Sequence, residues 1–547
     1  MNRFFTWIPL LASVGSLEAF VPNEMETIVI RQRLEKLELP QNLPACVAVP
    51  EGGFVYYYHP IVAPWLEHPM TAQRIKEIRT TLAPHLQIPL TQEGFSMAST
   101  RKEENEVDES SYSAIWVRDC VWHYFGLKTY DRTSAKQLIL SLLKFYASKE
   151  QRERFVSVIL DPKIADPASN PLAHMAVPLI RFSRKTLSHH QIEGKDQEWN
   201  HLQFDSHGLF LLSFSDALTS HILSPKDLQE QDFVSLSLFP AFFRATQYWK
   251  AGDAGPWEEE LLCNASSAGL IASGLKRMME VIQDEPSLKN RLRSSVEHLH
   301  GSLPLKKKIH AALSPESIAE LHQLGVERVE NNLNLGGEAP ALEPGKLDRK
   351  ADAALYFLCL LEDGLYGNHP ERMKQILNIN SSLIGPYGVY RYKYDAYQAL
   401  NYWITYDRSS KIGGPTTYDR SFLNRLHKGY EPHQQSYDAQ WFFDSNIAHI
   451  YYNLVLLEKD TPVKEYYLRK GDHHLKRALG QLTGIDYYTS GGEKVAPLQL
   501  SESINTLRMA NGDYLPMPSL ICPLSWAVAA MHMALEASER AHVHLER

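Results

Sequence analysis

Apolar residues recur at spacings of three and four along much of this chain. In 135–147, Leu138, Leu142 and Phe145 form one stripe, with Ile139, Leu143 and Tyr146 beside it. In 267–283, Ile271, Leu275, Met278 and Ile282 repeat the spacing, and similar stripes run through 208–218, 351–361, 446–457 and 524–536. This period predicts helices that bury one face. Alternating runs are few: Phe54 to Tyr58, beside Gly52-Gly53, reads as a hairpin arm, and no βαβ rhythm follows it. Between the helices lie long segments rich in Gly, Pro, Tyr, Asp and Asn, notably 383–420 and 484–522, while Arg101 to Ser110 reads as an exposed polar loop. Loops of that length are uncommon in a compact domain unless they carry function. Helices separated by decorated loops fit an all-α barrel whose loops form a pocket at one end.

Composition adds bounds. The chain has 547 residues, 44% of them hydrophobic and 22% charged, enough for a full-sized core. A net charge of −8 over this length is mild and gives no nucleic-acid footprint; Lys306-Lys307-Lys308 is too short to change that and reads as a solvated helix face. The 27 Tyr and 10 Trp residues suit a site with flat apolar faces beside polar groups, as sugars require. Cys46, Cys120, Cys263, Cys359 and Cys522 are scattered and odd in number, so mostly buried free thiols are expected. Met1 to Ala19 reads as a secretory signal peptide, with an apolar helix of a cytoplasmic protein as the alternative. Localisation therefore stays open. No stretch reaches the ~20 apolar residues of a spanning helix, so no integral membrane segment is expected.

Several chemistries are absent from the sequence. It holds no phosphate-binding glycine loop, dinucleotide fingerprint, H-E-x-x-H or G-x-S-x-G. His189-His190 and His473-His474 are adjacent pairs that cannot face one ion from a helix, and they read as surface histidines. No metal and no cofactor are expected.

What remains is a set of loops carrying Trp, Arg and carboxylates. Trp116-Val117-Arg118-Asp119 resembles the W-x-R-D loop of the glucoamylase family, glycoside hydrolase family 15. Trp199 to Asp205 (WNHLQFD) resembles that family's W-x-x-x-Q-x-D stretch, and Gly255 to Glu260 (GPWEEE) its general-acid loop. Gly388 to Trp403 resembles the R-Y…D-x-Y…N-x-W segment, and Leu500 to Trp526 the loop of the catalytic base with the opening of the last helix. The resemblance implies an all-α (α/α)6 toroid, a six-hairpin glycosidase-like barrel. It also implies an α-linked glucan or oligosaccharide as the binding partner, and puts Arg118, Asp119 and Arg391 on sugar hydroxyls. Leu262 to Gly269 (LCNASSAG) resembles a stretch of the phosphorylase b kinase regulatory subunits, which share the barrel and act as regulators. A catalytically silent glucan-binding protein, with a protein partner, is therefore the alternative reading; a barrel enzyme acting on trehalose or a uronide is a third.

Inverting glycoside hydrolysis needs a protonated carboxyl on the leaving oxygen and a carboxylate that activates water on the opposite ring face, ~6.5–9.5 Å apart. Glu258 is the candidate acid and Glu502 the candidate base. Trp257 offers an apolar wall that raises the acid's pKa, and Glu259 and Glu260 add like charges. Ser501 and Ser503 flank Glu502, and their hydroxyls are placed to hold it ionised. Trp116, Arg118, Asp119, Trp199, Trp257, Glu259 and Arg391 are the candidate substrate-binding residues. Asp205, at the start of an apolar helix, reads as its cap. The expected organisation is a leader over 1–19, an N-terminal extension over 20–95 and the barrel over 96–547.

Overall fold

The computed structural model describes residues 44–100, 112, 114–192, 194–299, 301–341, 348–392, 395, 403–405, 411–413, 431–434, 439–488, 494–508, 514–519 and 521–546. The expected leader (1–19), the polar loop 101–110 and most of 393–430 lie outside the described residues.

Helices dominate, and their contacts close a ring. The inner elements are α2 (Val117–Lys128), α4 (Phe204–Thr219), α6 (Ala265–Asp284), a 3-10 segment at Ala353–Leu358, α9 (Asp444–Leu457) and α11 (Ser525–Glu546). Each touches the next, and α11 touches α2. Around them run α1 (Ala72–Leu82), α3 (Arg132–Tyr146), α5 (Glu230–Thr246), α7 (Pro315–Asn334), α8 (Pro370–Ile379) and α10 (Thr461–Gly480). The result is the (α/α)6 toroid. Its first outer helix, α1, comes from the segment expected to precede the barrel: Ile75, Ile78 and Leu82 are buried, and α1 rests on α11. The hairpin arm is β2 (Phe54–Tyr57), paired antiparallel with β1 (Ala45–Ala48).

Helices α4 and α6 pack closely, and glycine explains it. A Cβ on Gly208 would lie 2.6 Å from the Ile271 backbone, and one on Gly274 2.5 Å from the Gly208 carbonyl. The 351–361 stripe forms only a short 3-10 segment, capped by Asp352 accepting from the Ala354 amide. Trp122, Phe357, Phe443 and Trp526 fill the middle of the ring, their centroids 5.3–6.4 Å apart. All five cysteines are free thiols, three of them buried. His474 departs from its expected surface position. It is buried against Asp444, 2.7 Å from the carboxylate, because that face of α10 packs on α9.

Candidate active site

One mouth of the toroid gathers the N-terminal ends of the inner helices. There β3 (Ile115–Trp116) pairs with β4 (Arg181–Phe182) and delivers the chain into α2, so that Arg118 and Asp119 fall in its first turn. The Arg118 guanidinium crosses to the start of α4. It donates to Asp205 at 2.7 and 3.1 Å, to Gln203 at 2.6 Å and to the Gly255 carbonyl at 3.1 Å. Its remaining nitrogen lies 3.5 Å from Glu258. The side chain of Asp205 thus serves an ion pair rather than the expected cap; Gln203, at the N-cap position, makes no capping bond, and the first amide of α4, that of Phe204, donates to the Asp253 carboxylate at 3.1 Å. Trp116 and Trp199 meet edge to face at 5.9 Å, and the Arg181 guanidinium lies over both rings at 4.8 and 4.2 Å.

Glu258 sits on a loop pinned at its neck by Asp253 and Leu262, which exchange two backbone hydrogen bonds of 2.9 Å. The loop turns sharply: Gly255 has φ 59° and Glu258 itself φ 61°. A left-handed conformation costs a non-glycine residue about 1 kcal/mol or more, and such strain concentrates at functional positions. A Cβ on Gly255 would come within 2.7 Å of the Asn264 side-chain nitrogen. Asn264 in turn donates to the Asp253 carbonyl and carboxylate at 3.0 and 2.9 Å. Ser267 and the Phe204 amide complete the donors around Asp253, while the Ser266 amide and hydroxyl bind Glu338. The N-A-S-S stretch is therefore the base on which the Glu258 loop rests.

Electrostatics around Glu258 differ from expectation. The Trp257 ring faces Phe357, Trp441 and Phe443, and its indole nitrogen donates to Asp352 at 2.8 Å. Glu259 is not a bare like charge. Its carboxylate takes Arg349 and Arg391 at 3.0 Å each and the Tyr392 hydroxyl at 2.8 Å. Arg391 also grips Asp395 at 2.6 and 2.7 Å and is fully buried. Burial raises the carboxyls of Asp253 and Asp352, and also that of Asp119 in the first turn of α2. For Asp119 burial pushes the carboxyl up to about 7, opposed by Arg118 and reinforced by the neighbouring Glu258 charge. Arg349, Asp352, Tyr392 and Asp395 went unpicked in the sequence; the R-Y…D spacing at 391–395 was the available signal for the last two.

Glu502 precedes β6 (Ser503–Arg508), which lies between β5 (Gln440–Trp441) and β7 (Tyr514–Pro518). Its amide donates to the Ile521 carbonyl at 2.9 Å, and Tyr112 donates to its carboxylate at 3.4 Å. The flanking serines are engaged differently from expectation: Ser501 donates to the Ser503 carbonyl and Ser503 to Asn505. Their hydroxyls bond within the turn, and Tyr112 is one donor that reaches the carboxylate. Tyr112 also touches Trp116 at 5.6 Å, so Glu502, the Trp116 turn, Arg118 and Glu258 belong to one connected cluster.

A helical toroid with tryptophans, a buried arginine and loop carboxylates at one mouth has the architecture of a carbohydrate-active barrel. The profile of Glycosyl hydrolases family 15 matches residues 78–427, and the chain belongs to that family. The match covers Arg118, Glu258 and Arg391 and stops before Glu502. The glucoamylase of Hormoconis resinae superposes over 85% of this chain and 73% of its own, at 12% identity and a TM-score of 0.51. The glucoamylase of Saccharomycopsis fibuligera covers 90% of this chain and 99% of its own, at 13% identity and a TM-score of 0.49. The first of these likenesses concerns the fold alone. The Uncharacterized lipoprotein YgeQ of Escherichia coli (strain K12) is 32% identical over 165 residues, 29% of this chain and 61% of that protein. The chain thus spans less than two thirds of that relative's length.

Proposed function

We propose that this protein is an inverting, exo-acting hydrolase of α-linked glucans or oligosaccharides, with Glu258 as general acid and Glu502 as general base. The observation that carries this is Glu258 itself, held at φ 61° on a braced loop beside Arg118 and Asp119, with 16% of its side chain exposed. Glu258 gives its proton to the glycosidic oxygen as the bond to the anomeric carbon breaks. Glu502 takes a proton from the water that adds to the opposite face, and the released sugar is the β-anomer.

Trp116 and Trp199 offer ring faces and edges to a pyranose, and Asp119 accepts from its hydroxyls. Arg118 is committed to Asp205, Gln203 and Gly255, so its share in sugar binding is the nitrogen that faces Glu258. Trp257, Glu259 and Arg391 form the layer behind the acid and position its loop. In the described part of the chain the N-A-S-S stretch braces that loop, a structural role that a hydrolase uses as readily as a regulatory barrel does.

The test is glucose release from maltoheptaose, isomaltose and trehalose, with the anomer followed by NMR, for wild type and Glu258→Gln. β-Glucose from maltoheptaose, reduced at least ~10²-fold in the variant, supports the reading. No release from any of the three, with the sugars still raising the melting temperature, sinks it in favour of a binding protein.

A further inference from the structure

Helices α2, α4, α9 and α11 run from the Glu258 mouth to the opposite end of the ring, where a cavity of about 300 Å³ opens. That volume stands at the lower end of the ~300–1,000 Å³ typical of small-molecule sites. The direction follows from the sequence along each helix. Lys128, which lines this cavity, closes the helix that Arg118 opens, about 15 Å away at 1.5 Å per residue. Asp216 and Asp205 stand in the same relation on α4. The aromatic plug of Trp122, Phe357, Phe443 and Trp526 occupies the middle of the ring, so the cavity is a separate site.

Its walls carry polar groups that the fold leaves unused. His449 and Asn453 stand one turn apart on α9, and Glu536 and Arg540 one turn apart on α11. No side chain of the four makes a hydrogen bond or ion pair with a described residue, and the His449 Nδ1 is buried with no partner. Burial, with the Arg540 charge adding to it, pushes His449 down to about 4. The imidazole is therefore neutral, with one donor and one acceptor. Other lining charges are already matched: Lys128 holds Asp216 at 2.7 Å, and Arg277 holds Asp363 at 2.8 Å. Phe125, Leu212 and Met533 supply an apolar face.

A polar atom removed from water without a partner is costly, so the His449 Nδ1 points to a ligand or ordered water that completes it, while half-buried Asn453 and Glu536 and exposed Arg540 leave donors and acceptors around it. Three lining cations stand against four lining carboxylates, and that balance gives no field to hold an anion. Interleaved donors and acceptors over an apolar patch match a polyhydroxylated ring, which has C–H faces and a hydroxyl rim. We propose that this cavity binds a neutral carbohydrate, a mono- or disaccharide unit, at a site independent of the Glu258 mouth.

Hydrogen exchange of Glu258→Gln with and without maltose tests this, since that background keeps the sugar intact. Slower exchange is expected in peptides from the C-terminal halves of α9 and α11. Half-saturation should need roughly tenfold more maltose in Asn453→Ala and in Arg540→Ala, each losing one or two hydrogen bonds. Glu536→Gln provides a near-isosteric variant should an alanine variant unfold, with weakened protection again expected. Three results overturn the proposal: no protection by maltose at this mouth, protection unchanged in the folded variants, or equal protection by inorganic phosphate. Peptides around Glu258 report the other mouth separately, so failure of the hydrolase reading leaves this result legible.

Discussion

Replacing Arg118 by methionine keeps an unbranched apolar stem about as far as Nε and removes the guanidinium. Arg118 is 3% exposed and Asp205 is fully buried, so the variant leaves a carboxylate without its cation in a dry site. Breaking a buried pair from one side costs about 3–5 kcal/mol. The stranded charge also lies near Asp253, whose carboxyl it already raises. Adding Asp205→Asn removes that charge and should recover part of the loss, giving a coupling of about 2 kcal/mol between the two positions. Arg118→Lys retains the charge without the fork that reaches Asp205, Gln203 and Gly255 together, so it should fall between wild type and methionine. The assay is urea unfolding of the four proteins of the cycle at pH 7, with Arg118→Lys beside them. A loss below about 1 kcal/mol for Arg118→Met, or strict additivity with Asp205→Asn, would refute the view that this pair bolts α2 to α4.

Four further outcomes follow from the same geometry. Glu502→Gln should lower glucan hydrolysis by about 10²–10⁴ while leaving the melting temperature within a few degrees; retained activity would remove Glu502 as the base. Gly255→Ala places a Cβ 2.7 Å from Asn264 at a φ of 59°, so kcat should fall several-fold or more and stability by about 1 kcal/mol or more. Parallel losses of activity and unfolding midpoint are the measurements, and a neutral variant contradicts the bracing role. Asp119 and Asp253, pushed up to about 7 by burial, keep their protons in the fold where the unfolded groups have released them. Stability should therefore fall as pH rises from 6.5 toward 7.5, by up to about 1.4 kcal/mol per pH unit for each group still protonated, and Asp253→Asn should flatten the slope. Below 6.5 the sign is opposed by His123 and His207, pushed down to about 3 by burial, because the unfolded imidazoles take up protons first; His207→Gln should shift the acid side of the melting curve while leaving the alkaline side unchanged.

Helices were legible because their signal is local. The stripes at 135–147, 208–218, 267–283, 446–457 and 524–536 became α3, α4, α6, α9 and α11 with only boundary shifts. Residues 72–82 carried the same signal, with Ile75, Ile78 and Leu82 in register behind Thr71, which caps the helix. The period there is as clear as in the later stripes, although no family motif accompanies it. Side-chain partnerships followed a different rule. Arg118 meets Asp205 across 87 positions and Arg349 meets Glu259 across 90. Nothing local distinguishes a glutamate that will be enclosed by two arginines from one that will face a substrate.

The run Glu258-Glu259 makes the physical reason concrete. Two adjacent carboxylates with the same sequence context end in different states: one at a left-handed φ and partly exposed, the other buried and neutralised by Arg349 and Arg391. Between them the backbone turns through the left-handed φ of Glu258, and the two side chains enter different surroundings. That angle is tolerated because Asn264, Asp253 and Ser267 fix the loop's neck from below. The acid candidate is thus specified less by its own neighbours in sequence than by the N-A-S-S stretch that follows them. A protein that kept the barrel but lost Asn264 would keep its carboxylates and lose the geometry that sets them apart.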